Sequence, residues 1–386
     1  MKTRHEVVFS NSNNMKDIQV ESVDLIVTSP PYPMIEMWDE LFSSQNPALG
    51  KKLKQNDGTG AFELMHQILD PVWHEVHRVL KPGGFACINI GDAARTINGN
   101  FVLYTNHARI LRYMEKLGFV ALPCILWRKQ TNAPNKFMGS GMLPAGAYVT
   151  LEHEFILILR KGIKREFNSE NDKKNRRESA LFWEERNKWF SDVWFDLKGT
   201  PQALNYKGAR KRSAAYPFEL VYRLINMYSA KGDFVFDPFL GIGTTIAAAI
   251  ASGRNSIGYE IDKSLKDEIF KIEDVIAETS KRLIRERLFR HIEFVTERLK
   301  SKGGFKYNNF HYGFPVMTAQ EKELMFNDPI NVNISRQNVL EVEYSDKPQE
   351  ELCRDWSSDF EQNSNFYLEN LRHTISKKNL KQLPLF

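Results

Sequence analysis

The spacing of apolar and polar positions predicts alternating strands and helices over the first two thirds of the chain. Short apolar runs predict buried strands at residues 23–27, 85–90, 120–127 and 155–159. Apolar positions at helical spacing predict helices at residues 62–80, 103–117 and 217–228. We expect the first helix to break or kink before Pro71, because proline removes a backbone donor. The alternation predicts an α/β fold with a doubly wound, mostly parallel sheet.

Two glycine- and asparagine-rich stretches, residues 34–60 and 128–146, predict long loops. The first follows a strand directly and either folds over a site at the strand end or simply connects two elements. From residue 264 the pattern becomes helical up to Gly303-Gly304, and then aromatic and asparagine-rich. Residues 341–361 are acidic and are predicted to be disordered.

The turn that follows the strand at 23–27 carries the first candidate chemistry. It reads Ser29-Pro30-Pro31-Tyr32. Consecutive prolines have no N–H and a fixed φ, so the chain leaves the sheet stiffly. The Ser29 hydroxyl, the Pro30 carbonyl and the Tyr32 ring then lie at the carboxyl edge of the sheet, where open α/β sheets bind ligands. Two acceptors beside an aromatic ring suit the exocyclic amine of a flat base, although a purely structural turn would look the same.

A second motif lies downstream. Residues 234–237 predict a short strand, Gly241 and Gly243 a tight turn, and residues 244–249 an alanine-rich helix. The next strand ends at Glu260, about twenty residues after the first glycine, a spacing at which a carboxylate accepts ribose hydroxyls. The third glycine of the dinucleotide fingerprint is missing, which favours a nucleoside ligand without a pyrophosphate.

With both motifs considered, the chain resembles the S-adenosylmethionine-dependent amino-methyltransferases of DNA. Ser29 to Tyr32 is similar to their catalytic motif, and Asp237-Pro238-Phe239 with the two glycines to their cofactor motif. Residues 80–92, 152–161 and 216–225 resemble further family segments, so the resemblance covers about residues 6 to 265. The catalytic motif precedes the cofactor motif, as in the permuted beta group, and a Rossmann-like fold is implied.

The resemblance implies a role for each motif residue. The implied catalytic residues are Ser29, Pro30, Pro31 and Tyr32. The implied contacts of S-adenosylmethionine are Asp237, Pro238, Phe239, Gly241, Gly243, Thr244 and Glu260. Direct methyl transfer to an amine of a flipped base needs neither a metal nor a covalent intermediate. Serine at the first motif position favours cytosine N4 as the acceptor, in a restriction–modification methylase. Adenine N6, or a non-catalytic DNA-binding protein of the same fold, is the alternative.

The composition and net charge of the chain bear on its expected binding partners. The net charge is +5, which is compatible with a surface that binds phosphate. Double-stranded DNA is the expected partner, residues 161–212 are the candidate DNA-contact insertion, and its best phosphate contacts are Lys207, Arg210, Lys211 and Arg212. A cognate restriction endonuclease is a further expected partner, and monomer and homodimer both stay open.

The chain divides into an expected catalytic domain, residues 1–263, and a helical or mixed C-terminal extension, residues 264–386. We expect the extension to take part in target recognition, to form a dimer interface or to extend the scaffold. Three scattered cysteines favour neither zinc nor disulfides. Without an apolar leader or a membrane-spanning run, we expect a cytoplasmic, nucleoid-associated protein of a prokaryote with no membrane contact.

Overall fold

The structure is a computed structural model that describes residues 1–129, 138–198, 216–302 and 304–348. Its strands are β1 (Lys2–Val8), β2 (Val23–Thr28), β3 (Leu80–Ile90), β4 (Ala93–Ile97), β5 (Asn100–Tyr104), β6 (Phe119–Arg128), β7 (Met138–Gly139), β8 (Ala147–Tyr148), β9 (His153–Lys161), β10 (Val193–Trp194), β11 (Phe234–Asp237), β12 (Asn255–Tyr259), β13 (Tyr307–Asn308), β14 (Pro315–Val316), β15 (Pro329–Arg336) and β16 (Val339–Tyr344). Its α-helices are α1 (Asp39–Gln45), α2 (Pro47–Lys54), α3 (Gly58–Val79), α4 (Asn106–Lys116), α5 (Glu170–Glu178), α6 (Trp183–Trp189), α7 (Phe218–Tyr228), α8 (Thr244–Ala251), α9 (Lys266–Phe270) and α10 (Ile272–Lys302).

Ten strands form one sheet in the order β10-β6-β9-β3-β2-β11-β12-β1-β16-β15. The neighbouring pairs from β3 through β2, β11 and β12 to β1 are parallel. β9 runs antiparallel to both of its neighbours, and β16 runs antiparallel to β1. The predicted α/β fold with a large, mostly parallel sheet is therefore confirmed.

Helices cover both faces of this sheet. All six residues of β2 are buried. Leu25 and Val27 pack in the core that contains α7 and α8, whereas Ile26 packs in the core that contains α3 and α4. Successive strand residues point to opposite faces, so a run of apolar residues at the centre of the sheet serves both layers.

Three local features differ from the sequence pattern. Helix α3 continues through Pro71, so the expected break does not occur. Its face with Met65, Trp73 and Val76 is completely buried, and this packing holds the helix together despite the missing backbone bond. Helices α1 and α2 occupy much of the stretch expected to be a loop at 34–60. The β4–β5 hairpin takes residues that the helical pattern had included, so α4 begins only at Asn106.

The C-terminal extension shares the main sheet with the rest of the chain. β16 pairs with β1 from Lys2 opposite Glu343 to Glu6 opposite Val339, and β15 forms the edge beyond it. Residues 341–344, expected to be disordered, thus belong to a strand, while residues 349–361 lie outside the described part. Within the described residues, no helix has the length and apolarity needed to span a membrane.

A buried ion pair attaches the extension to residues 1–263. Arg287 of α10 is 5% exposed. Its guanidinium donates to both carboxylate oxygens of Glu185 in α6, at 2.5 and 2.6 Å, and to the Tyr222 hydroxyl in α7 at 3.0 Å. Buried charges of this kind are compensated only while every partner is present.

We expect Arg287→Met to lower the free energy of unfolding by about 3–5 kcal/mol, because Glu185 would stay buried without its partner. Equilibrium urea denaturation measures the change. Arg290→Met is the matched control, because Arg290 lies exposed on the same helix, and we expect a change within about 0.5 kcal/mol. The double variant Arg287→Met/Glu185→Leu should recover most of the lost free energy of unfolding. Equal losses in Arg287→Met and Arg290→Met would contradict the role of the pair.

Candidate active site

The proline turn leaves the sheet at the end of β2, as the sequence predicts. Ser29, Pro30 and Pro31 line a cleft at the carboxyl edge of the sheet. The Ser29 hydroxyl donates a hydrogen bond to the Tyr32 hydroxyl at 3.2 Å. The four residues of the turn are therefore held as one unit, with the serine facing the cleft.

Tyr32 is fixed by a polar network. Its hydroxyl donates to Glu154 Oε2 at 2.8 Å and accepts from Asn89 Nδ2 at 2.8 Å. Asn89 Nδ2 also donates to the same Glu154 oxygen, and Lys129 Nζ lies 2.9 Å from the other. Burial and then the Glu154 carboxylate raise the pKa of Tyr32 well above its ordinary value, so the phenol stays protonated.

Close packing also sets the position of the Tyr32 ring. A β-carbon on Gly91 would lie 2.9 Å from this ring, which is closer than real contacts allow. Gly91 follows β3, the strand next to β2, and Glu154 lies in β9, the strand beyond β3, so two successive strands on one side of β2 hold the ring. Any side chain at position 91 would displace the ring.

The Asp237 carboxylate joins the proline turn to the glycine turn. It is fully buried and accepts hydrogen bonds from the hydroxyls of Thr28, Tyr216 and Thr245, at 2.6, 2.9 and 2.6 Å. A fourth bond comes from the Phe239 N–H at 3.0 Å. Burial raises the pKa of Asp237, and these donors oppose the shift. Asp237 therefore holds the ends of β2 and β11 to the start of α8.

The glycine turn brings backbone close to open space. Gly241 has φ 58°, and a β-carbon there would meet no atom within 4 Å. Gly243 has φ 92°, and a β-carbon there would lie 2.9 Å from Ile272 Cδ1. The first glycine therefore faces the cleft, and the second allows the turn to pack against α10.

Glu260 closes one end of the cleft. Its two carboxylate oxygens accept the N–H groups of Gly241, at 2.8 Å, and Asp262, at 2.7 Å. These bonds attach the acid to the glycine turn. A carboxylate with several lone pairs can accept two backbone donors and still accept hydroxyls from a ligand.

One cleft brings most of the predicted site together. It has an empty volume of about 1220 Å³, including its open mouth. Eight predicted residues line it: Ser29, Pro30, Pro31, Pro238, Phe239, Gly241, Thr244 and Glu260. Asp237, Gly243 and Tyr32 instead hold its walls in place. Mostly apolar walls with a carboxylate at one end fit a nucleoside, and the open space at Gly241 is a cradle that a side chain would fill.

Several site residues were not found from the sequence. Trp38 and Phe42 line the cleft from the segment expected to be a loop. Asn89 and Glu154 hold Tyr32 from β3 and β9. For Asn89 and Glu154, the only sequence signal was a polar residue near one end of an apolar strand. Contact with Tyr32 depends on strand order, which a linear pattern does not contain.

The four predicted phosphate contacts, Lys207, Arg210, Lys211 and Arg212, lie outside the described residues. Leu197 and Tyr216, which lie on either side of this segment in the chain, are at the carboxyl edge of the sheet. The Leu197 carbonyl accepts a hydrogen bond from Trp127 Nε1 at 2.9 Å, and Tyr216 lines the cleft.

Comparisons with known proteins identify the family of the chain. The family described as DNA methylase matches residues 23–271. The type II methyltransferase M.MthZI of Methanothermobacter thermautotrophicus is 52% identical over 90% of this chain and 96% of its own length. The type II methyltransferase M.MjaI of Methanocaldococcus jannaschii is 52% identical over 68% of this chain and 89% of its own length.

A solved structure has the same architecture. TTHA0409 of Thermus thermophilus, solved in complex with S-adenosylmethionine, is 29% identical and superposes with a TM-score of 0.54. The match covers 71% of this chain and 95% of that protein. The chain therefore belongs to the DNA methylase family and is an S-adenosylmethionine-dependent methyltransferase of the type that modifies the amino groups of DNA bases.

Proposed function

We propose that this enzyme transfers a methyl group to the exocyclic N4 amine of cytosine in duplex DNA, after the cytosine has left the helix. The observation that carries the proposal is that Ser29, Pro30 and Pro31 line the same cleft as Gly241 and Glu260. A base entering beside the proline turn would therefore meet the cofactor. Adenine N6 is the second candidate acceptor, because both bases present an exocyclic amine to such a turn.

The cofactor is held by the second half of the cleft. Glu260 would accept the ribose hydroxyls, the Gly241 turn would pass close to the ligand, and Phe239 would pack beside it. Bound S-adenosylmethionine supplies an electrophilic methyl group on a sulfonium. The apolar walls exclude water from the space between that methyl group and the amine.

The network around Tyr32 makes Ser29 a hydrogen-bond acceptor. The Glu154 carboxylate has no proton to give, so the Tyr32 hydroxyl donates to it. The Tyr32 oxygen then accepts the Ser29 hydroxyl proton. The lone pairs of Ser29 are thus left for the amine of the target base, alongside the Pro30 carbonyl.

This arrangement suits an amine that loses its proton after the methyl group arrives. Two neutral acceptors orient the nitrogen and stabilise the positive charge that develops on it, so catalysis depends on positioning and electrostatics. A hydroxyl is sufficient for cytosine because no strong base is required. The serine at the first motif position is the basis for preferring cytosine to adenine.

The DNA contacts complete the proposal. Lys207, Arg210, Lys211 and Arg212 would neutralise phosphates of the duplex that carries the target base. Leu197 and Tyr216, on either side of this segment, lie at the carboxyl edge, which supports that assignment. Because the relatives are type II methyltransferases, a restriction endonuclease acting on the same DNA site is the proposed cognate partner.

Replacing Gly241 with leucine should weaken S-adenosylmethionine binding by roughly 100-fold, since forcing a side chain into ligand space costs about 1–3 kcal/mol. Isothermal titration calorimetry measures the affinity. Gly313→Leu is the control, because Gly313 also has positive φ and open space around its β-carbon position but lies outside the cleft. Equal affinity in the two variants would place the cofactor elsewhere.

Ser29→Ala should lower kcat roughly 10- to 100-fold, because an acceptor of the developing cation is worth about 1.5–3 kcal/mol. The affinity for S-adenosylmethionine should stay unchanged. Mass spectrometry of nucleosides from DNA methylated by the wild-type enzyme identifies the acceptor, and we expect N4-methylcytosine. N6-methyladenine as the sole product would refute the cytosine assignment while leaving the mechanism intact.

Glu154→Gln should reduce kcat about tenfold, because an amide can donate to Tyr32 as well as accept from it and no longer sets the direction of the Ser29 bond. The affinity for cofactor should be retained. Glu152→Gln is the matched control, since Glu152 pairs with Arg128 near the surface two residues away. A similar loss in both variants would mean that charge at this edge, rather than the Tyr32 network, limits the rate.

A further inference from the structure

A second cleft opens at the opposite edge of the sheet from the proline turn. Its floor includes Asp24 near the start of β2, Phe85 in the middle of β3 and opposite Leu25 of β2, and Ala230, which precedes β11. Parallel strands carry their amino ends to the same edge. The two clefts are therefore separated by the length of β2, about 17 Å at 3.3 Å per residue.

The walls of this cleft are strongly basic. It has an empty volume of about 2410 Å³, including its mouth, and lies between α5, α6, the end of α7 and residues 318–323. Six cations line it: Arg160, Lys164, Arg165, Arg176, Arg177 and Arg186. Three acids line it: Asp24, Glu321 and Glu323. The cleft therefore carries an excess of positive charge.

The acids do not neutralise the other cations. Asp24 is bound by Lys81 and Arg165, and Glu323 is bound by Arg177. Glu321 accepts the backbone N–H groups of Trp183 and Thr318. Four cations remain, namely Arg160, Lys164, Arg176 and Arg186. Within the described ranges of the chain, the side-chain nitrogens of these four residues form no ion pair with a carboxylate oxygen at 4.0 Å or less.

Aromatic rings alternate with these cations. The guanidinium groups of Arg165 and Arg176 both lie over the Phe167 ring, each 4.5 Å from the ring centre. Arg186 lies over Phe190 at 5.5 Å. Trp183 and Phe190 are 38% and 42% exposed. A guanidinium stacked on a ring is held in place while its N–H groups stay available, and exposed rings offer faces to unpaired bases.

We propose that this cleft, lined by Arg160, Arg176, Arg186 and the exposed rings of Trp183 and Phe190, is a second nucleic-acid site that binds the phosphate backbone. The DNA in it is a different segment from the one that carries the target base, because the sheet separates the two edges. Such a site would keep the enzyme on DNA while the active site releases one segment and takes up another.

Photo-cross-linking of the full-length protein tests this proposal. The probes are a 12-nucleotide single strand and a 12-base-pair duplex, each containing bromodeoxyuridine, at low salt. After irradiation, mass spectrometry maps the cross-linked peptides. We expect cross-links on Trp183 or Phe190. Cross-links with the single strand alone would identify unpaired strands as the ligand, and cross-links with both probes would identify the backbone of either form.

The variant Arg160→Gln/Arg176→Gln/Arg186→Gln should reduce these cross-links at least tenfold. Arg112→Gln/Lys116→Gln/Lys300→Gln removes the same charge from other exposed positions and should leave them unchanged. Retained affinity for S-adenosylmethionine shows that both variants are folded. Absence of cross-links on both Trp183 and Phe190 in the wild-type protein, or an equal loss in the two triple variants, would overturn the proposal. Neither result depends on which base is methylated.

Discussion

The buried carboxylate of Asp237 is the interaction on which the rest of the site depends. Removing an ionised group from water is costly, and here four donors compensate for that cost. They come from the end of β2, from the start of α8, from Tyr216 and from the turn after β11. Residues beside both motifs donate hydrogen bonds to this one carboxylate. The distance between the proline turn and the glycine turn is therefore set by hydrogen bonds rather than by flexible loops.

A second acid, Glu154, determines the direction of the hydrogen bonds in the proline turn rather than the position of the two motifs. A carboxylate can only accept, so it orders the hydroxyl of Tyr32, and Tyr32 in turn orders that of Ser29. The ion pair with Lys129 and the hydrogen bond from Asn89 hold this carboxylate in position. A neutral serine thereby acquires a defined role as an acceptor, which a serine in an unordered turn would lack.

The parallel sheet also separates functions in space. Every parallel strand delivers its last residue to the carboxyl edge, which holds the apolar cleft, the proline turn and Glu260. The opposite edge collects the starts of the same strands together with α5 and α6, and it carries arginines that form no ion pair with a carboxylate of the described residues. The antiparallel β9 connects the edges directly: Glu154 near its start holds Tyr32, and Arg160 near its end lines the basic cleft.

The sequence by itself determined the fold class, the order of the two motifs and eight of the residues that line the apolar cleft. Ser29, Gly241 and Glu260 follow strands, and the carboxyl ends of parallel strands must meet, so local spacing was sufficient to bring them together. Local pattern failed where burial decided the outcome. Pro71 lies inside α3 because a buried face outweighs one lost backbone bond, and α1 forms within a stretch whose glycines indicated a loop.

Only the tertiary structure decided which polar groups meet. Glu154 is 122 residues from Tyr32, and Thr28 is 209 residues from Asp237. These pairs exist because β9 lies next to β3 and β11 lies next to β2, and strand order is a property of the whole sheet. The same holds for the extension: β16 completes the sheet beside β1 because the strands at both ends of the described chain are neighbours in space, which residue spacing along the chain does not encode.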